Sequence, residues 1–418
     1  MSTLDGRDVR RARVAVSALF LVNGAILANV LPRLPALKAQ LELSNTALGT
    51  AIAAMPVGGL LAGSVAGLLI VRYSSRRVTV VGGVLMSVLL PLVGLAPGWL
   101  ALAGSFLVLG MVDAVMDSAM NAHGIAVQRS YGRSIMHGFH GWWSAGTLFG
   151  AATGALAAAA GVPLLLHLVA VGIVLAGVSL AAAPLLLRGR EADAQAAEPL
   201  RGAEPDDGAV ERGAGRRGLR LLARLAPFAL IGILGVMLED AAQTWSTIYL
   251  TEVLGAGVGI AAIAVVLYTA GMTVGRLTND GWIDRWGDAT VGRAGAILAS
   301  LGLVLVIVAG SLASVPLAAF GFGLVGFGAS PLFPVMITAA GTVPGVPPGQ
   351  GVALVTWLGR GGFVIAPALV GVAADAVGLA AALIIPLIAG LTVAVLMGRL
   401  LASSGRGVLP GDAAARLG

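Results

Sequence analysis

The amino-acid sequence predicts an all-α membrane protein with twelve transmembrane helices in two six-helix bundles. Of the 418 residues, 58% are hydrophobic and only 11% are charged, and the mean hydropathy is +0.95. A soluble domain is about 25% charged. The apolar residues fall into twelve segments, and about 20 such residues suffice to cross the hydrocarbon core of a bilayer. One long polar segment divides the twelve into six and six.

The predicted spans, in chain order, are 14–34, 46–70, 78–96, 99–127, 137–160, 163–187, 226–250, 259–281, 290–312, 314–340, 350–373 and 379–401. Residues 1–187 are therefore expected to form an N-terminal bundle, and residues 225–418 a C-terminal bundle with a short tail. The linker 188–224 mixes acids with arginines and is too polar to bury, so we expect it to be mobile. The first span follows no cleavage signal and is expected to remain a membrane helix.

The basic residues predict the orientation, because arginines in short loops stay on the cytoplasmic side of a membrane. One side receives the arginines of both termini, the linker and the loops at 72–77, 129–133 and 285–293. The other side receives only Arg33 and Lys38. Both termini and the linker are therefore predicted to be cytoplasmic. The net charge of +6 fits this topology and contact with anionic lipid headgroups, so no nucleic-acid partner is expected.

The sequence offers little to an enzyme, a metal or a cofactor. It has no cysteine and no GxxxxGK[ST], GxSxG or HExxH pattern, which argues against thiol chemistry, an ATP-driven pump and common hydrolases. His137 and His140 lie three residues apart, but polar residues at a helix entrance explain them better than a metal site does. We therefore expect no metal, no cofactor and no catalytic residue.

The two halves of the chain repeat each other at an offset of about 217 residues. Matching pairs are Met55 and Met272, Gly58 and Gly275, Gly154 and Gly371, and Gly161 and Gly378. An even number of spans gives both halves the same orientation. This is the parallel repeat found in many secondary transporters.

A loop of the second half carries a family resemblance. The run Gly281-Trp282-Ile283-Asp284-Arg285-Trp286-Gly287 follows Gly275-Arg276-Leu277. It resembles the signature loop of the major facilitator superfamily, and the likeness extends over the whole chain. The resemblance implies the major facilitator fold, transport by alternating access, and a conformational latch at Gly281, Asp284, Arg285 and Gly287. In the first half Val71 replaces the aspartate and Ser74 the glycine, so Arg72, Arg76 and Arg77 are interpreted as positive-inside anchors.

A second part of the sequence resembles one branch of this superfamily in particular. Residues 113–124 and 132–146 are similar to an uncharacterised bacterial branch near the fucose permease type of sugar/proton symporter. The resemblance implies a bacterial cell membrane, a sugar-like solute, and proton coupling through a carboxylate of the fourth span, matched here by Asp113. Those permeases also use an acid in the first span, where this chain has Asn23 and Asn29.

The fourth span supports a site independently of that resemblance. Asp113, Asp117 and Asn121 are spaced four residues apart, so they share one helix face. An intramembrane carboxylate is costly unless it faces water or a partner, and it is therefore a functional candidate. Asp113 and Asp117 are candidates for proton coupling, and a structural hydrogen bond between helices is the alternative.

The seventh span supplies two further proton-coupling candidates, Glu239 and Asp240. Adjacent residues of a helix diverge by about 100°, so the two acids cannot point the same way. We favour Glu239 as the acid that faces the solute, with Gln243 one turn away. Arg360 of the eleventh span either pairs with one of these acids or binds an anionic group of the solute. Arg276 and Asp280 are expected to pair with each other.

Polar and aromatic residues near the middle of the spans are candidates for solute binding. They are Asn23, Asn121, His140, Trp142, Trp143, Gln243, Trp245, Trp357 and Arg360. The leading hypothesis is a monomeric, proton-coupled transporter of a small polar solute. The alternatives are a proton-antiport exporter of drugs or metabolites, and a receptor or scaffold that no longer transports. Gly141, Gly150 and Gly154 have the spacing of an antiporter motif, but close helix packing explains them equally well.

Overall fold

The computed structural model describes residues 6–133, 135–187, 214–341, 343, 346 and 348–404. Its main helices are α1 (Gly6–Ala28), α2 (Asn45–Tyr73), α3 (Ser75–Leu89), α4 (Trp99–Tyr131), α5 (Met136–Ala159), α6 (Leu164–Ala182), α7 (Ala214–Glu252), α8 (Val258–Trp286), α9 (Asp288–Ser311), α10 (Val315–Ala329), α11 (Pro348–Val377) and α12 (Ile384–Ser404). Each occupies the place of one predicted span.

The helices confirm the predicted fold class. Within the described residues, eleven helical stretches are long and apolar enough to cross a membrane. The fifth predicted span is α5, a helix of 24 residues whose tryptophans, histidines and glycines make it less apolar. Two spans end in separate short helices, Leu92–Leu95 after α3 and Leu332–Gly341 after α10. Pro91 and Pro331 lie within these breaks. Each interrupts the helix because proline lacks the backbone N–H that would continue it.

Part of the predicted linker is helical. Helix α7 begins at Ala214, so residues 214–224 of the predicted linker are helical. Residues 188–213 lie outside the described part of the chain. The apolar part of this helix begins near Leu222, close to the predicted start of the seventh span.

The helices of each half pack in the same pairs. In the first half α2 packs along α4, α1 along α5 and α3 along α6. The second half repeats these pairs as α8 with α10, α7 with α11 and α9 with α12. Glycines allow the close approach, since a Cβ on Gly150 would lie 2.4 Å from the carbonyl oxygen of Ala25 in α1. Helix packing therefore accounts for Gly150, and Gly154 likewise meets the Asn29 carbonyl.

The halves meet through α2 against α11 and α5 against α8. We call the membrane face with the arginine loops the arginine-rich side. At the opposite side, Asp375 of α11 accepts hydrogen bonds from the backbone N–H groups of Asn45 (2.9 Å) and Thr46 (2.8 Å), at the start of α2. Lys38 also forms an ion pair with Glu252 across the halves. These contacts close the opposite side.

Candidate functional site

A hydrogen-bonded chain runs through the middle of the first half. Asn23 of α1 donates from Nδ2 to Oδ1 of Asp113 in α4, at 2.8 Å. The indole N–H of Trp143 in α5 donates to Oδ1 of Asn23, at 2.9 Å. Asn23 is 6% exposed, so the two bonds fix both ends of a buried amide. Asp113 is therefore held by a neutral partner.

Further along α4, Asn121 donates from Nδ2 to Oδ1 of Asp117, at 3.0 Å. The two side chains lie one helical turn apart, as their spacing predicted. Asp117 is half-buried. Arg360 of α11 and His140 of α5 both lie near Asp117, and Arg360 also lies near Asp113. Asp117, His140 and Arg360 thus form a group of charged and titratable side chains between the halves, which we call the vestibule group.

The second half presents an ion pair at the same level. Glu239 Oε1 of α7 lies 3.7 Å from Nη2 of Arg276 in α8. The Arg276 guanidinium also lies over the ring of Trp143, 5.3 Å from its centroid. Arg276 therefore links the acid of the second half to the hydrogen-bonded chain of the first.

The predicted pair of Arg276 with Asp280 is wrong. Asp280 is exposed to solvent, whereas Glu239 is half-buried and its charge is stabilised by a nearby cation. Arg276 was not predicted as a site residue. Its position as a lone cation inside an apolar span was the available signal.

The two adjacent acids of α7 diverge as expected. Glu239 faces the other half, whereas Asp240 is buried at 4% exposure and accepts a hydrogen bond of 2.8 Å from Thr244 Oγ1. Oδ2 of Asp240 has no partner among the described residues. Of the two alternatives for Arg360, pairing with Glu239 or Asp240 is not found here: Arg276 pairs with Glu239, and Arg360 lies nearer to the acids of α4.

A small cavity lies between α5 of the first half and α7 and α8 of the second. We call it the central cavity. Its lining includes Trp143, Thr147, Glu239, Gln243, Tyr268, Thr273 and Arg276. Its volume of about 20 Å³ holds about one water molecule. Glu239 and Gln243 share this space, as their spacing predicted.

The four tryptophans predicted as solute-binding candidates have different environments. Trp143 lines the central cavity. Trp245 is 0% exposed and packs in the core, so a role in stacking on a solute is incompatible with this conformation. Trp142 and Trp357 are 50% and 58% exposed and lie outside the cavity lining.

The predicted latch is exposed in this conformation. Helix α8 ends at Trp286, and Gly287 turns the chain with φ +78° and ψ +155°. Gly281 and Asp284 are exposed, and Arg285 lies over the Trp286 ring. Within the described residues, no hydrogen bond or ion pair joins Asp284 or Arg285 to the first half.

Comparisons with known proteins agree with this architecture. A model of the Major Facilitator Superfamily matches residues 16–344. An uncharacterised MFS-type transporter of Yersinia pestis is 30% identical over 86% of this chain and 88% of its own. An uncharacterised transporter of Sinorhizobium fredii is 29% identical over 86% and 90%. The membrane protein MosC of Rhizobium meliloti is 28% identical over 91% and 88%.

Two solved structures share the fold. The nucleoside transporter NupG superposes with a TM-score of 0.69 at 13% identity, covering 94% of this chain and 98% of NupG. A bacterial homologue of the lysosomal transporter Spinster, in an inward-facing and unoccupied conformation, gives 0.70 at 12% identity, covering 94% and 97%. These likenesses confirm the major facilitator fold.

Proposed function

Since the chain belongs to the major facilitator superfamily and is a multi-pass membrane transporter, we propose that it moves a small polar solute together with protons by alternating access. One observation carries the proposal. Contacts between polar side chains run without a break from one half to the other. They join, in order, Asp113, Asn23, Trp143, Arg276 and Glu239. Such a line connects an acid in each half at the place where a solute would bind.

Asp113 suits the proton-carrying role. Its hydrogen-bond partner Asn23 is neutral, so loss of the negative charge leaves no cation unpaired at contact distance. A carboxyl in this setting can exist in both protonation states at modest cost, which a proton carrier requires. This supports the likeness to the fucose permease type at residues 113–124, where the fourth-span acid carries the proton.

The central cavity suits a hydroxylated solute. Trp143 offers an apolar surface, and Gln243 offers a neutral donor and acceptor. The hydroxyls of Thr147 and Thr273 donate within their own helices, so their oxygens can accept from a solute. Since the space holds about one water molecule, a sugar-sized solute enters only when the halves separate further. The exposed side chains of His140 and Arg360 stand toward the arginine-rich side, which we propose as the entrance in this conformation.

We propose that the arginine-rich side is cytoplasmic, that both termini lie there, and that the protein works as a monomer. A reporter fused at Ala209 is then expected to give a cytoplasmic signal, and one at Gly257 an external signal. An external Ala209 would overturn both the orientation and the number of spans.

The transport mechanism is tested in proteoliposomes after a solute has been found by its effect on the melting temperature of the purified protein. The variant Asp113→Asn is expected to lose accumulation driven by a proton gradient, while exchange of solute down its own gradient continues. Asp280→Asn, which neutralises an exposed acid of α8, is the matched control. Full accumulation by Asp113→Asn would remove this residue from the coupling mechanism.

A further inference from the structure

We infer that Arg276 binds the carboxylate of a small hydroxylated organic anion, such as a sugar acid or a hydroxy acid, in the central cavity. This inference rests on the proposed function, because it names the solute class of the same cavity. It concerns a residue that the sequence had assigned only to a structural pair.

The contact between Arg276 and Glu239 leaves the donors of the arginine available. Their separation of 3.7 Å exceeds the 2.7–2.9 Å or so of a charge-assisted hydrogen bond. Within the described residues Arg276 donates no hydrogen bond, and 31% of its side chain is exposed. A guanidinium has five N–H donors in a planar fork, and the ligand that matches this fork is a carboxylate bound through both oxygens.

Trp143 holds the guanidinium in position for such a ligand. The indole ring is fixed by its hydrogen bond to Asn23, and the guanidinium lies over that ring. A planar cation resting on an aromatic face keeps its edge open, where the N–H groups point. The neighbouring lining residues Thr147, Gln243 and Thr273 are neutral, and they suit hydroxyl groups on the remainder of the solute.

Charge balance links this binding to a proton. A solute carboxylate at Arg276 brings a second anion beside Glu239, and uptake of one proton by the Glu239 carboxylate removes the repulsion. The charged or titratable groups around Glu239 are Arg276 and Tyr268 of α8 and Asp240 of its own helix, while α5 presents the indole of Trp143. One anion and one proton would therefore bind together, with Arg276 exchanging one carboxylate for another.

The test compares matched acid and neutral compounds: glucuronate with glucose, and gluconate with sorbitol. Melting temperature is measured against the concentration of each compound for the parent, Glu239→Gln, Arg276→Gln and the control Asp280→Asn. We expect an acid to stabilise Glu239→Gln at a concentration at least about tenfold lower than the parent needs, because the competing carboxylate is gone. Arg276→Gln should lose the response, and Asp280→Asn should match the parent.

Arg276→Gln leaves Glu239 without a counter-charge and can fail to fold. The double variant Arg276→Gln with Glu239→Gln removes both charges and must also lose the response to acids. The inference is overturned if the acids still stabilise that double variant, or if no acid stabilises Glu239→Gln. It is equally overturned if glucose or sorbitol matches its acid partner, and in that case a neutral solute binds and the proposed function stands.

Discussion

Each half of the chain has an acid in the middle of the membrane, but the two acids have different kinds of side-chain partner. In the first half Asp113 accepts a hydrogen bond from the neutral amide of Asn23. In the second half Glu239 lies beside the cation Arg276. A neutral partner tolerates a change in the charge of the acid, whereas a cation requires a negative partner. The difference supports the proposal that Asp113 exchanges the coupling proton, whereas Glu239 takes up a proton only when a solute carboxylate replaces it at Arg276.

Breaking the ion pair tests this comparison with the largest expected effect. Arg276→Gln leaves a half-buried carboxylate unpaired, which in protein interiors costs roughly 3–5 kcal/mol. We expect a lower yield and melting temperature, and partial recovery when Glu239→Gln is added. The double variant is the informative control, because it restores neutrality without restoring the guanidinium. Stability of Arg276→Gln equal to that of the parent would show that water, not Arg276, supports the Glu239 charge.

A smaller change in stability is expected from substitutions in the loops between the second and third helices of each half. Ser74 has φ +80° and ψ +145°, almost the values of Gly287, which has φ +78° and ψ +155°. Such a backbone costs a non-glycine residue about 1–3 kcal/mol, whereas replacing a serine N-cap by glycine costs only a few tenths. Ser74→Gly is therefore expected to raise the free energy of unfolding by about 1 kcal/mol. Gly287→Ser should lower it, and the two melting temperatures should move in opposite directions.

The smallest effect on stability is expected at Arg360. Its side chain is exposed and forms no ion pair at contact distance within the described residues, so Arg360→Ala should change the free energy of unfolding by no more than about 0.5 kcal/mol. Comparing the stability of Arg360→Ala with that of Arg276→Gln distinguishes the two cations. Arg276 is expected to stabilise the charge of an acid, whereas Arg360 is expected only to line an opening. A loss of solute affinity in Arg360→Ala without a loss of stability would place the vestibule group on the solute's route. A drop in melting temperature similar to that of Arg276→Gln would contradict the comparison.

The features that could be predicted from the sequence are those that depend on nearby residues. Hydropathy located twelve spans, and the four-residue spacing placed Asp117 beside Asn121 and Glu239 beside Gln243. It did not find the bond between Asn23 and Asp113, which joins residues 90 apart in the chain. It also paired Arg276 with Asp280, a neighbour on its own helix, because the packing of α8 against α7 and α5 is not encoded in either segment alone. The burial of Trp245 escaped prediction for the same reason.

The bond from Asp375 to the start of α2 has a further consequence. Its acceptor is a side chain, and the backbone N–H groups of Asn45 and Thr46 donate to it. The hydroxyls of Ser44 and Thr46 lie beside the same carboxylate. Every residue except proline provides a backbone N–H donor at positions 45 and 46. Substitutions there are therefore expected to leave the contact intact, while substitutions of Asp375 remove it at once. In a set of related sequences residue 45 would therefore show little covariation with Asp375, although the contact joins two helices from opposite halves of the protein.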